Sequence, residues 1–402
     1  MTIEGRGHQV LLVSGFVAAI FTVPVTQAVI ELRDGEMPQA LDLFRHTPTE
    51  ANLRIYEDDL ESRSWFAKTL RPWMQYARFV TLSDGGEKAI VGRDGWWFYR
   101  PGVRYLMERP VSDPTGRTGH DQALEAIVAF RDRLAGRGIK LLVVPVPGKA
   151  SIYPDKLTAR ASQADPSVRA HTRRMIDDLS AAGVEVVDLF DALASIRQII
   201  GEHDCAPRPQ AYMIRDTHWT PGGVARAAWA AARRIRKLGW APTGSTAYAT
   251  KGTLVRRQGD VVRMLRSPQI ERLFPPAEMH CEQIVRKDTG ERYQDDPNAP
   301  ILVLGDSFLR IYERDEPGSA GFISHLAWTL RQPVASIVND GGASTLVRQE
   351  LARKPELLAG KKLVVWEFVE RDIRFGMEGW QDVPLPPPIS TLPTNTTTAP
   401  VP

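Results

Sequence analysis

The chain has 402 residues, of which 43% are hydrophobic and 25% charged, enough for a sizeable core in one large or two medium domains. Its 51 basic and 48 acidic residues leave a formal charge of only +3, with no long basic run or aromatic–basic interleaving of the kind that marks a nucleic-acid binder. The two cysteines, Cys205 and Cys281, lack metal-ligand spacing, so no metal site is expected; they are either a disulfide or two buried thiols.

Val10 to Ile30 is uncharged, mostly apolar and long enough to cross a bilayer as a helix. Residues 1–36 are read as an uncleaved signal anchor, with a cleaved signal sequence as the alternative because Pro24 and Thr26-Gln27-Ala28 resemble a cleavage region. Either way the remainder lies outside the cytoplasm. Residues 37–84 are a helical lead-in, in which Trp65, Phe66, Leu70, Trp73 and Tyr76 recur at helical spacing and are expected to be packing residues.

A hairpin follows, Ala89–Gly92 and Gly95–Tyr99 around Arg93-Asp94. Helices then alternate with short apolar strands: a helix through Leu124 to Leu134, strand Ile139–Val144, helix 166–182, and strand Val184–Leu189. Further strands are expected at Ile301–Leu304, Val334–Val338 and Leu363–Phe368. Alternation of this kind implies a mostly parallel sheet covered on both faces, a three-layer flavodoxin-like α/β domain over residues 85–380. Residues 240–299 are read as a strand-poor insertion, and residues 381–402, rich in Pro and Thr, as a disordered tail.

Two stretches carry chemistry. In Ile301-Leu302-Val303-Leu304-Gly305-Asp306-Ser307, small residues end a strand and put Ser307 at the carboxyl edge of the sheet. The plainer reading is a turn in which Asp306 caps the next helix. In Arg215-Asp216-Thr217-His218-Trp219-Thr220-Pro221-Gly222-Gly223, Asp216 and His218 are two apart. In extended backbone their side chains point the same way, so the carboxylate can orient the imidazole. Thr220 and Pro221 are the N-cap and first residue of a helix whose Arg226, Arg233, Arg234, Arg236 and Lys237 form a solvated face; contact with an anionic polymer is the sharper alternative.

Together these stretches resemble the SGNH-hydrolase-like alginate O-acetyltransferase family, the AlgJ and AlgX proteins. The resemblance rests on Asp216–Gly223 and Leu304–Phe308, with support from Gly92–Tyr99, Pro145–Lys149, Ile152–Pro154 and Val365–Phe368. It is nearer to AlgJ, since little chain remains after the last strand. The resemblance implies a periplasmic O-acetyltransferase tethered to the inner membrane, with a membrane-bound O-acyltransferase (AlgI-like) partner supplying acetyl groups and an exported exopolysaccharide accepting them. It implies no cofactor.

The chemistry expected is a triad of Ser307 as nucleophile, His218 as base and then acid, and Asp216 as orienting carboxylate. The Ser307 N–H, with Asn339 or the Gly341 N–H, would form the oxyanion hole. Lys149, Tyr153, Arg215, Trp219 and Arg371 are expected to line a polysaccharide groove. A polysaccharide O-acetyl esterase with the same triad, or a non-catalytic envelope scaffold, are the alternatives.

Overall fold

The computed structural model describes residues 3–45, 47, 49–161, 166–198, 209–241 and 244–387. Two compact units result: residues 1–86 with Leu265–Phe274, and residues 87–264 with 275–402.

The first unit holds helices α1 (Ile3–Arg33), α2 (Glu50–Arg63) and α3 (Trp65–Leu82). Leu12–Arg33 is long and apolar enough to cross a membrane by length and composition. The α2 N-terminus is capped by Thr49, whose hydroxyl accepts from Asn52 N, and α3 is capped in the same way by Ser64. The aromatic stripe of α3 departs from expectation: the helix buries none of its residues, and Trp65 and Trp73 are 47% and 55% exposed.

The second unit is built on five strands in the order β4-β3-β9-β7-β8, and every paired neighbour is parallel. These are β3 (Lys140–Val146), β4 (Glu185–Val186), β7 (Ile301–Gly305), β8 (Ala335–Val338) and β9 (Leu363–Val369). β7 and β9 are buried along their whole length, as expected of apolar strands covered on both faces. One cluster with Val303, Val365 and Phe308 fills one side of the sheet, and another with Leu304, Trp366 and Phe130 fills the other. The expected strand Val184–Leu189 shrinks to two residues, because it lies at the sheet edge and its chain turns into the helix Phe190–Ala194. Strands β1 (Ala89–Val91) and β2 (Trp97–Tyr99) form the expected antiparallel hairpin, with Trp96 and Trp97 buried.

The stretch 240–299 is not strand-poor. It carries β5 (Tyr248–Arg257) and β6 (Ala277–Arg286), antiparallel over ten residue pairs, with short helices between them. Cys281 is buried on β6, and Cys205 lies outside the described residues. The start of the expected tail is also ordered. Gln381 O accepts from Arg348, Asp382 takes both Arg133 nitrogens at 2.5 and 2.7 Å, and Val383 is buried. Residues 388–402 lie outside the described residues.

Candidate active site

Three loops converge at the carboxyl ends of β3, β9 and β7. The β7 strand stops at Gly305, where a Cβ would lie 2.3 Å from Glu367 Oε2 and 2.6 Å from Leu309 Cδ1, so glycine lets the nucleophile loop sit on β9 without displacing either side chain. The Glu367 carboxyl accepts from Asp306 N at 3.1 Å. Asp306 in turn caps the short helix Ser307–Arg310 by accepting from Phe308 N at 2.8 Å. The capping reading and the nucleophile reading of this turn both hold, since the cap fixes where Ser307 begins the helix.

The histidine arrives on a tight antiparallel loop. Tyr212 bridges Trp219, Met213 N donates to His218 O at 3.1 Å, and Thr220 N donates to Ala211 O at 2.9 Å. Thr220 caps the helix Pro221–Leu238 through Gly223 N. A Cβ at Gly223 would lie 2.2 Å from Ala211 O, which is why this turn demands glycine. The imidazole lies against the Phe308 ring at 4.8 Å, and Trp219 stacks on Phe322 at 6.1 Å behind it.

His218 Nε2 stands 2.9 Å from Ser307 Oγ across 89 residues of sequence, and His218 Nδ1 stands 2.7 Å from Asp216 Oδ1. Both distances are within hydrogen-bond range. Asp216 Oδ1 also accepts from His218 N at 3.0 Å. With Nδ1–H directed to the carboxylate, Nε2 is left to accept the serine proton.

Sequence reading missed a second tier of residues, contributed by the end of β5. Asp216 Oδ2 accepts from Arg257 Nε at 3.2 Å and from Asp260 N at 3.1 Å. Asp260 accepts from Thr217 N at 2.6 Å and Thr217 Oγ1 at 2.5 Å, and its Oδ2 is 3.5 Å from His218 Nδ1. Asp216, His218 and Asp260 bring potential ligand atoms within 4.8 Å of one another. Their oxygens are already occupied by N–H and O–H donors and Arg257 supplies the compensating charge, so they form a hydrogen-bonded relay.

Burial opposes the Asp216 charge, but the imidazole and Arg257 outweigh it and hold the carboxyl well below its usual range. Burial likewise disfavours charged His218, yet Asp216 and then Asp260 raise the imidazole above its ordinary value while Arg257 pulls against them. Asp260 itself is raised by burial and by the Asp216 charge.

Beneath the serine lies a buried acidic floor of Asp306, Glu367 and Asp372. Each has one carboxyl oxygen without a hydrogen-bond partner among the described residues. Burial pushes all three upward, Asp372 to about 7. Arg371 crosses above them, 3.8 Å from Asp372 Oδ1, with its guanidinium over the rings of Tyr99 at 5.3 Å and Phe308 at 5.9 Å.

Three residues expected to line the groove do other work. Lys149 is buried, and its Nζ donates to the carbonyls of Met213, Ile214 and Asp216 at 2.8, 2.8 and 2.9 Å, clamping the histidine loop. Tyr153 is buried and its hydroxyl accepts from Ala211 N at 2.7 Å. Trp219 is fully buried core. Arg215 and Arg371 remain partly exposed near the triad.

Asn339 and Gly341 lie in the loop after β8, at the same sheet edge. Asn339 N donates to Gly305 O at 3.0 Å, Gly341 has φ +69°, and Arg310 joins the loop through Asp340 at 2.9 Å. On the helix Pro221–Leu238, Arg234 pairs with Glu185 and Arg236 donates to Thr329 O, so part of that basic face is occupied within the fold.

The family described as the SGNH hydrolase-like domain of the acetyltransferase AlgX matches residues 89–370. A protein of Azotobacter vinelandii named probable alginate O-acetylase AlgJ is 24% identical over 303 residues, 73% of this chain and 71% of the relative. Its namesake in Pseudomonas putida is 25% identical over 313 residues, 73% and 72% of the two chains. The solved O-acetyltransferase domain of Pseudomonas putida AlgJ superposes with a TM-score of 0.55 at 23% identity, covering 71% of this chain and 92% of that one.

Proposed function

We propose, from the premise that this chain belongs to the AlgX family of SGNH hydrolase-like acetyltransferase domains, that it transfers acetyl groups through a serine acyl-enzyme onto hydroxyls of an exported polysaccharide. The observation that carries the reading is the continuous line Asp216 Oδ1–His218 Nδ1, His218 Nε2–Ser307 Oγ, at 2.7 and 2.9 Å.

Ser307 Oγ attacks the acetyl carbonyl of the donor while His218 Nε2 takes its proton. The imidazolium formed is stabilised by Asp216, and it returns the proton to the departing group. A sugar hydroxyl then attacks the acetyl-serine, passes its proton to His218, and leaves acetylated as the proton goes back to Ser307 Oγ. The Ser307 N–H, with Asn339 or the Gly341 N–H, is the proposed oxyanion hole. Arg215 and Arg371 are the proposed groove residues that meet the polymer.

The relatives' name points to alginate, and an alginate-like polymer or cellulose is the proposed acceptor class. The apolar helix α1 suits a periplasmic domain tethered to the inner membrane, where an AlgI-like membrane-bound O-acyltransferase would supply acetyl groups.

The test offers a chromogenic acetyl donor together with a panel of oligosaccharides. Acetylated oligosaccharide made by the wild type and lost in Ser307→Ala supports transfer. Free acetate as the only product overturns it in favour of an esterase.

A further inference from the structure

The helix α3 has a face that nothing in its own unit covers. Phe66, Leu70, Trp73, Ala77 and Val80 fall on one side at 100° per residue, and all are exposed. Lys68, Arg71, Gln75 and Arg78 fall on the opposite side, and α3 contains no acidic residue. The protein contacts of α3 are made elsewhere on its circumference. Phe79 packs edge-on against Phe274 at 5.7 Å, and Pro72 O accepts from Ser267 Oγ at 2.9 Å. The apolar stripe is therefore not the packing seam of this unit.

The start of α3 is tied to the membrane-length helix. Trp65 N donates to Gln27 Oε1 at 2.7 Å, and Gln27 Nε2 donates to Glu31 Oε1 at 2.8 Å. Gln27 lies three residues before Ile30, the last of the uncharged run, which at 1.5 Å per residue is ~4.5 Å of helix, and Glu31 and Arg33 follow at once. That depth is the boundary between acyl chains and headgroups, where tryptophan and tyrosine concentrate and where an amphipathic helix with a basic polar face settles.

We propose that α3 lies in the membrane interface beside the exit of α1, with Phe66, Leu70 and Trp73 turned into the lipid and Lys68, Arg71 and Arg78 toward anionic headgroups. The partner is the lipid surface itself, since the helix is aromatic, basic and hooked near the end of the apolar run to a helix of membrane length. Such a placement would hold this unit against the bilayer at a second element, beyond what a single spanning helix does. It rests on α1 entering the membrane and is independent of the acyl-transfer reading.

The test reconstitutes the full chain in vesicles of phosphatidylcholine and phosphatidylglycerol whose acyl chains carry bromine, a short-range quencher of tryptophan. The expected result is that the chain floats with the vesicles, that bromolipid quenches part of its emission, and that the double variant Trp65→Phe/Trp73→Phe loses most of that quenching. The triple variant Lys68→Gln/Arg71→Gln/Arg78→Gln should lose the rise in quenching that comes with added phosphatidylglycerol. Equal quenching of wild type and double variant, or no quenching of a chain that floats, overturns the interfacial placement and leaves a protein partner for this face. A chain that does not float overturns it as well, by removing the span. Acetyl transfer to a soluble oligosaccharide should be unchanged in the double variant, so failure here is distinguishable from failure of the enzymatic reading.

Discussion

Arg257 Nε reaches Asp216 Oδ2 at 3.2 Å, on the carboxylate oxygen turned away from His218. The same guanidinium donates to Asp315 Oδ2 at 3.1 Å, so it is held between two acids. The groups facing the imidazole are thus Asp216, Asp260, Arg257 and Asp306. Arg257 lowers the His218 pKa and Asp260 raises it, so their removal should move the acid limb of the kcat/KM profile in opposite directions. That limb should shift to higher pH in Arg257→Met and to lower pH in Asp260→Asn, each with a loss in kcat/KM of about 10- to 100-fold from misplacement of the base. Loss of rate with no displacement of the limb would mean that the two residues only support the fold.

Lys149 supplies a second test, because the groove reading and the clamp reading predict different kinetics. A substrate contact would raise KM and leave stability alone. A clamp with three buried carbonyl acceptors should, in Lys149→Met, cost about 2–3 kcal/mol of stability and lower kcat. Burial already pushes this amine down to about 7. Thermal melts run beside the kinetics separate the two.

The acidic floor makes stability depend on pH in a definite direction. Asp372 rises from the ordinary 3.8 to about 7 on folding, so the folded state holds its proton where the unfolded chain has lost it. Its contribution is complete below about pH 3.8, falls as pH rises, and is gone above about pH 7. Asp372→Asn should therefore flatten the fall in stability across that window. Urea titrations at several pH values would show it, and an unchanged slope would contradict the assignment.

Glu367 is raised well above its usual value by burial and by Asp306, so it is held as the neutral acid, which an amide can mimic. Glu367→Gln should keep the Asp306 N–H satisfied and stay within about 1 kcal/mol of wild type. Glu367→Ala opens a cavity beneath the nucleophile turn and should cost about 2–4 kcal/mol. Differential melts of the two variants check this.

What the sequence disclosed was local. Apolar runs marked β3, β7 and β9, and the spacing of Asp216 and His218 placed both on one side of an extended stretch. The pair β5 and β6 stayed hidden because both strands mix charged and apolar residues, Gly252 interrupts one of them, and 258–276 separates them in place of a turn signal. Arg257 and Asp260 were invisible for the same reason, since only that ribbon brings them to Asp216. Lys149 misled because a lysine at a strand end ordinarily meets water. The carbonyls that bury it come from a loop some sixty residues later. In α3 the spacing of apolar residues predicts the helix, but periodicity alone does not say whether an apolar stripe meets protein or another medium.

The central claim is that an acetyl group passes through Ser307, and the most direct measurement is intact-mass and peptide mapping of the chain quenched during turnover of an activated acetyl donor. The account predicts one added acetyl group on the peptide bearing Ser307, chased off by an acceptor oligosaccharide that becomes acetylated, and absent in Ser307→Ala along with a loss of rate of about 1,000-fold or more. Acetylated oligosaccharide formed by Ser307→Ala at the wild-type rate would contradict it.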